Sequence, residues 1–322
     1  MNYRSVKDLS DKVVASPKLN KDNCDLIIGI PRSGLLPALL FSFHRNIPLT
    51  DLDRVSDMQL ISSGSTTVSN DILNSINFSK PLSVYLVDDS THSGNSFLAA
   101  KKLINNMFPH WRVSCLAVYS SKRNLTSGIE FLEYLPAPHV FEWNLYRNPV
   151  LSNSGFDIDG VLCDEPQADE DSKEYLDFIL KAKPLNIPII PVKFIVTGRR
   201  EKFRKETEKW LSENGVIYGE LFMFPDKEVK NITSVSLFKS KTFKECGGLL
   251  FIESSLLEAR VIHQNSGKLV YCVESNSLMK DGMNLSSKID FFVANFSIKK
   301  VIARCLPRPV KNFIKRFVFN EQ

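Results

Sequence analysis

One stretch, residues 84–96 (VYLVDDSTHSGNS), restricts the possible folds more than any other. Val84, Leu86 and Val87 form a short apolar run that ends in two acids, Asp88 and Asp89. A loop of small hydroxyl residues and one glycine follows (Ser90, Thr91, Ser93, Gly94, Ser96), and then a helical pattern, FLAAKKLI. A buried strand, two carboxylates at its carboxyl end, a small-residue loop and a helix start together form a cradle for a phosphorylated sugar. Backbone N–H groups at a helix start bind phosphate, and the acids can hold sugar hydroxyls or a metal-bound polyol. The same pattern also describes an ordinary strand–turn–helix with exposed acids, because such crossovers are common in α/β proteins.

Residues 25–43 repeat the theme. A strand (Leu26–Ile28) enters a turn (Gly29, Pro31, Arg32, Ser33, Gly34) and then an apolar helix. The polar stretch 50–80 reads as a long loop of the kind used as a lid. A helix over 97–107 and a strand over 113–119 follow, and the aromatic, proline-rich segment 134–149 reads as an irregular closing segment. Near 150 the pattern restarts with FDIDGVLCD at 156–164, a helix over 173–182, VKFIVTGRR at 192–200, an amphipathic helix over 200–213 and a strand over 249–252 ending in Glu253. Strands alternating with helices predict an α/β protein of two domains, each a parallel sheet flanked by helices. The boundaries fall at 1–150 and 151–296, with a tail at 297–322. The halves share a class and no repeated motif.

The composition, 43% hydrophobic and 24% charged over 322 residues, suits two ordered cores. The six cysteines show neither CxxC nor zinc spacing, the pattern of reduced thiols in the cytoplasm. The first residues lack the apolar core of a signal peptide. No apolar run reaches the roughly 18 residues needed to span a bilayer. The net charge of +5 is local: residues 297–322 carry seven Lys and Arg against Glu321 alone. This argues against a general nucleic-acid binder and for a tail that meets an anionic surface. Within it, Val310, Phe313, Ile314 and Phe317 share one helical face, as in an interfacial helix on the inner face of a membrane or a terminal helix packed on the second domain.

The 84–96 stretch resembles the phosphoribosyl-diphosphate (PRPP) signature of type I phosphoribosyltransferases. The resemblance covers about 25–150. It implies that Asp88 and Asp89 take the ribose hydroxyls and that Thr91, Ser93, Gly94, Asn95 and Ser96 wrap the 5-phosphate. GIPRSG at 29–34 resembles that family's pyrophosphate loop, which gives Arg32, Ser33 and Gly34 the leaving pyrophosphate; an arginine fork pairs bidentately with phosphate. The segment FEWNLYRNP suits either the family's hood over the acceptor or a packed aromatic loop. Where many members carry an acid this chain has His92, a general base for a hydroxyl acceptor or a hydrogen-bond partner of the phosphate loop.

FDIDGVLCD resembles the first motif of haloacid-dehalogenase-type phosphatases, and three further motifs follow in order over about 150–275. The resemblance implies Asp157 as nucleophile and Asp159 as general acid, then base. Thr197 and Gly198 would hold phosphate oxygens. Lys239, with Lys241 as the second choice, would offset charge. Asp157, Glu253 and the backbone carbonyl of Asp159 would bind Mg²⁺. The place of a second acid after Glu253 falls at Ser254 or Ser255. The short stretch between the first two motifs implies a small cap.

Joined in one chain, the two resemblances resemble the dual-domain ribofuranosyltransferases of bacterial surface-polysaccharide assembly. They imply transfer of 5-phosphoribosyl from PRPP to a glycan hydroxyl, on a lipid-linked acceptor, and then loss of the 5-phosphate. Two other readings stay open: a nucleobase phosphoribosyltransferase coupled to a nucleotidase, and a ligand-sensing regulator with a degenerate transferase domain.

Overall fold

The computed structural model describes residues 1–61, 76–125 and 128–279. Residues 62–75 of the suggested lid, the whole tail 297–322 and Cys305 lie outside them. The chain divides into two compact units, Met1–Val150 and Leu151 onward, and both are α/β with a parallel sheet flanked by helices.

In the first unit the strands are β1 (Asn2–Arg4), β2 (Leu26–Gly29), β3 (Leu49–Asp51), β4 (Ser83–Thr91), β5 (Arg112–Ser120), β6 (Ile129–Tyr134) and β7 (His139–Phe141), with helices α1 (Val6–Ala15), α2 (Leu35–Arg45) and α3 (Asn95–Met107). The main sheet has the order β3-β2-β4-β5-β6, parallel throughout, and β1 pairs with β7. Alternation along a strand sends successive side chains to opposite faces. Ile27, Tyr85 and Val87 therefore pack with Leu9, Val13, Ala38 and Phe41 of α1 and α2. Leu26, Ile28, Val84 and Leu86 pack with Phe97, Ala100 and Ile104, the apolar stripe of α3. Because α2 and α3 cover opposite faces, the connections leaving β2 and β4 diverge. The crevice between their carboxyl ends is where open α/β sheets bind ligands.

The second unit contains β8 (Ser154–Phe156), α4 (Lys173–Lys181), β9 (Val192–Arg200), α5 (Arg204–Glu213), β10 (Tyr218–Phe224), α6 (Ile232–Cys246), β11 (Leu250–Glu253), α7 (Leu256–Ser266), β12 (Leu269–Cys272) and β13 (Ser277–Leu278). Its sheet order is β10-β9-β8-β11-β12-β13; among the described residues only the edge strand β13 runs antiparallel. One face is an aromatic core in which Phe194, Phe243 and Phe251 meet at centroid distances of 5.4–6.4 Å. From β8 the chain fills one side with β9 and β10, then crosses to the other with β11. The crevice here therefore lies between β8 and β11, whose carboxyl ends lead to Asp157 and carry Glu253. Between Asp164 and β9 the described residues hold a single helix, α4. No helix among the described residues is long and apolar enough to cross a membrane.

Candidate active sites

In the first unit the loop 30–34 lies against the end of β4. The Ile30 N–H donates to the Val87 carbonyl at 2.9 Å. A Cβ on Gly34 would come within 2.8 Å of both Asp88 Oδ1 and the Val87 carbonyl, so this approach requires glycine. The Pro31–Arg32 peptide is cis, and Arg32 is exposed at the loop tip.

The two acids hold different partners. Asp89, only 3% exposed, accepts from Ser33 Oγ at 3.0 Å on Oδ1 and from Trp143 Nε1 at 2.6 Å on Oδ2. Asp88 Oδ1 accepts the Asp89 N–H at 2.8 Å. Burial, and then the neighbouring Asp89 charge, push the Asp88 carboxyl up to about 8. The loop beyond begins α3 without a side-chain cap: Gly94 takes φ +82°, open to glycine at little strain. The Thr91 hydroxyl accepts the Gly94 N–H at 3.2 Å, and Ser93 Oγ accepts the Asn95 N–H at 3.4 Å. Asn95 and Ser96 open the helix, both exposed.

His92 is exposed and paired through Nδ1 with Ser121 Oγ at 2.7 Å. Trp143 lies in the segment read as a hood over the acceptor or a packed aromatic loop. It sits in the 3-10 turn Glu142–Arg147 and stacks on Phe141 at 4.8 Å, which stacks on Tyr119 at 5.2 Å. His139 is half-buried, and burial holds its imidazole below the ordinary value against opposing pulls from the Pro136 backbone and Asp89.

In the second unit Lys239 reaches the crevice because α6 can bury a polar face. Ser236, Ser240 and Thr242 donate their hydroxyls to carbonyls four residues back, at 2.6–2.9 Å. This side turns Lys239 inward, while Lys241 is exposed. The Lys239 ammonium donates to Asp157 Oδ2 at 2.7 Å, Glu258 Oε2 at 2.8 Å and Glu253 Oε2 at 2.9 Å. Burial works against its charge, but Asp157, Glu253 and Glu258 hold it well above the ordinary value. Burial pushes Asp157 and Glu253 upward despite the lysine.

Asp157, Asp159, Gly198, Lys239, Ser254, Ser255, Glu165 and Glu258 line one cavity of about 590 Å³. Thr197 is fully buried, its hydroxyl oxygen accepting the Arg199 N–H at 3.2 Å. Glu258, five residues after Glu253, supplies an acid where the sequence offered Ser254 or Ser255. Glu165 accepts from Ser254 Oγ at 2.9 Å, and burial followed by the Asp157 charge pushes it up to about 7.

Asp157 and Glu253 converge on the lysine. Glu253 Oε1 is taken by the N–H groups of Ser254 and Ser255, and the Asp159 carboxylate turns to Arg199. Among the described residues no group of three His, Cys, Asp or Glu side chains is placed to hold a metal ion.

No protein-family model matches the chain, and no curated protein does. Among solved structures it is similar to a purine phosphoribosyltransferase from Pyrococcus horikoshii (18% identity, 44% of this chain and 92% of that one, TM-score 0.33). It is also similar to the xanthine-guanine-hypoxanthine phosphoribosyltransferase of Helicobacter pylori (15%, 44% and 92%, TM-score 0.31). A chain of a Pnkp1/Rnl/Hen1 complex aligns over 80% of this chain and 98% of its own (14%, TM-score 0.29). Similarity this distant decides neither reaction nor substrate; those have to come from the residues.

The residues allow the following chemistry. The first site offers paired carboxylates beside a loop of hydroxyl side chains at a helix start, suited to a sugar phosphate. The second offers a buried carboxylate, Asp157, whose charge is offset by a lysine at contact distance, with a second carboxylate, Asp159, on the same cavity. That suits covalent transfer of a phosphoryl group.

Proposed function

We propose that the first unit transfers 5-phosphoribosyl from PRPP to a glycan hydroxyl with inversion, giving a β-ribofuranoside, and that the second unit removes the 5-phosphate. The setting is bacterial surface-polysaccharide assembly with a lipid-linked acceptor. The observation that carries the reading is the crevice of the first unit, where Asp88 and Asp89 stand beside the Gly94 turn and Ser33 of the neighbouring loop bonds to Asp89. There the acids hold the ribose diol, the 91–96 loop holds the 5-phosphate, and Arg32 meets the pyrophosphate as C1–O breaks. Positioning and charge neutralisation supply most of the rate for such a loose transition state.

In the second unit, Asp157 attacks phosphorus while Asp159 gives a proton to the departing sugar alkoxide. Asp159 then takes a proton from the water that cleaves the aspartyl-phosphate. Lys239 offsets the charge of Asp157 as the anionic substrate arrives. The cavity presents the carboxylates of Asp157, Asp159, Glu165 and Glu258, and Mg²⁺ prefers oxygen. Asp157 and Glu253 with the Asp159 carbonyl, or Glu258 in place of Glu253, would hold it, and it would supply further neutralisation of phosphate charge.

The Tyr119–Phe141–Trp143 stack beside Asp89 favours a second reading, a nucleobase acceptor followed by nucleotide dephosphorylation. An indole face also packs against a sugar ring, so the acceptor decides between them. Incubation with PRPP, Mg²⁺ and either a synthetic glycan or a panel of bases should ribosylate the glycan. A base modified while every glycan stays untouched sinks the first reading.

A further inference from the structure

The carboxylate assigned above to proton transfer is not free in its cavity. Arg199, at the end of β9 and fully buried, donates Nη2 to Asp159 Oδ1 at 2.6 Å and Nε to Oδ1 and Oδ2 at 3.1 and 3.2 Å. Nη2 also donates to Cys163 Sγ at 3.3 Å, and the Cys163 thiol donates to the same Oδ1 at 3.5 Å. The guanidinium lies 5.8 Å from the centre of the Phe178 ring on α4, and its own backbone N–H is fixed to Thr197 Oγ1. The two carboxylate oxygens are therefore unequal. Oδ1 accepts from three donors, whereas Oδ2 accepts from Nε alone.

We infer that Arg199 is a positioning residue: it pins Asp159 through Oδ1 and leaves Oδ2 as the oxygen that gives the proton to the leaving group and later takes one from water. The inference rests on the phosphatase reading. The fixed fork of an arginine suits the task because it sets both the distance and the plane of the carboxylate, which a lysine cannot. Proton delivery depends on that geometry before anything else. Nothing in the sequence beyond a strand-end arginine pointed to this.

Leaving-group dependence separates positioning from general damage. Departure of an alkoxide needs the proton, whereas departure of p-nitrophenolate does not. Arg199→Met is expected to slow hydrolysis of ribose 5-phosphate roughly a hundredfold, at the low end of general-acid effects. It should slow p-nitrophenyl phosphate less than about tenfold by the same logic. Arg199→Lys, the milder change should the first fail to fold, is expected to lie between wild type and Arg199→Met with the same substrate bias. Asp159→Asn should show that bias too, and the double variant should be no worse on ribose 5-phosphate than Asp159→Asn alone. Equal loss on both substrates, or losses that multiply in the double variant, overturns the positioning role and leaves the phosphatase standing. A wild-type protein that hydrolyses neither ester overturns both.

Discussion

At the residue scale, charge burial sets behaviour in both crevices. A carboxyl raised in the folded state stabilises the fold when protonated. That contribution is complete below the ordinary carboxyl range and is lost as pH rises through the folded value. Asp88, pushed up to about 8, should therefore make the first unit less stable across the interval from about 4 to about 8. Asp88→Asn should flatten that decline and raise Tm above pH 8; a melting profile against pH unchanged by the substitution contradicts it. Lys239 faces three carboxylates, and removing one partner of a buried ion cluster costs about 3–5 kcal/mol. Lys239→Met is thus expected to lower the Tm of the second unit by on the order of 10 °C, with partial recovery on adding Glu258→Gln. Trp143→Phe removes a donor to a buried carboxylate, a bond of about 1.5–3 kcal/mol, and should weaken PRPP binding roughly tenfold by titration calorimetry.

At the scale of elements, much of the site was legible because strand, loop and helix each carry their own signal. The acids at 88–89 follow an apolar run, and Gly94 marks the left-handed turn into α3. The end of the strand was not legible. Asp88 and Asp89 disfavour strands by propensity, yet β4 continues to Thr91 because Asp88, Ser90 and Thr91 pair with Ala117, Tyr119 and Ser120 of β5. Glu258 escaped notice for a similar reason. Its place is set by where α7 begins, and local spacing after Glu253 pointed only to serines. Trp143 and Arg199 act through long-range contacts that no window of sequence contains. The loop of 30–34 gives a sharp test. Gly34→Ala drives a methyl group against Asp88 and the Val87 carbonyl, and should abolish PRPP binding with a smaller effect on the far-ultraviolet spectrum. Binding retained at wild-type strength contradicts the placement of that loop.

At the scale of the whole molecule, each unit places its acids at the point where strand order reverses. That follows from strand–helix alternation and was foreseeable, whereas the identity of the acceptor lies in side chains that do not share a local pattern. The account rests on two consecutive reactions in one chain. PRPP carrying one label on the ribose and another on the 5-phosphate, given with Mg²⁺ and a glycan acceptor, follows both at once. Wild-type protein should place the ribose label in the glycan and release the phosphate label, while Asp157→Asn should leave both labels in the same product. Phosphate release by Asp157→Asn at the wild-type rate, or a ribose label that reaches no glycan, contradicts the account.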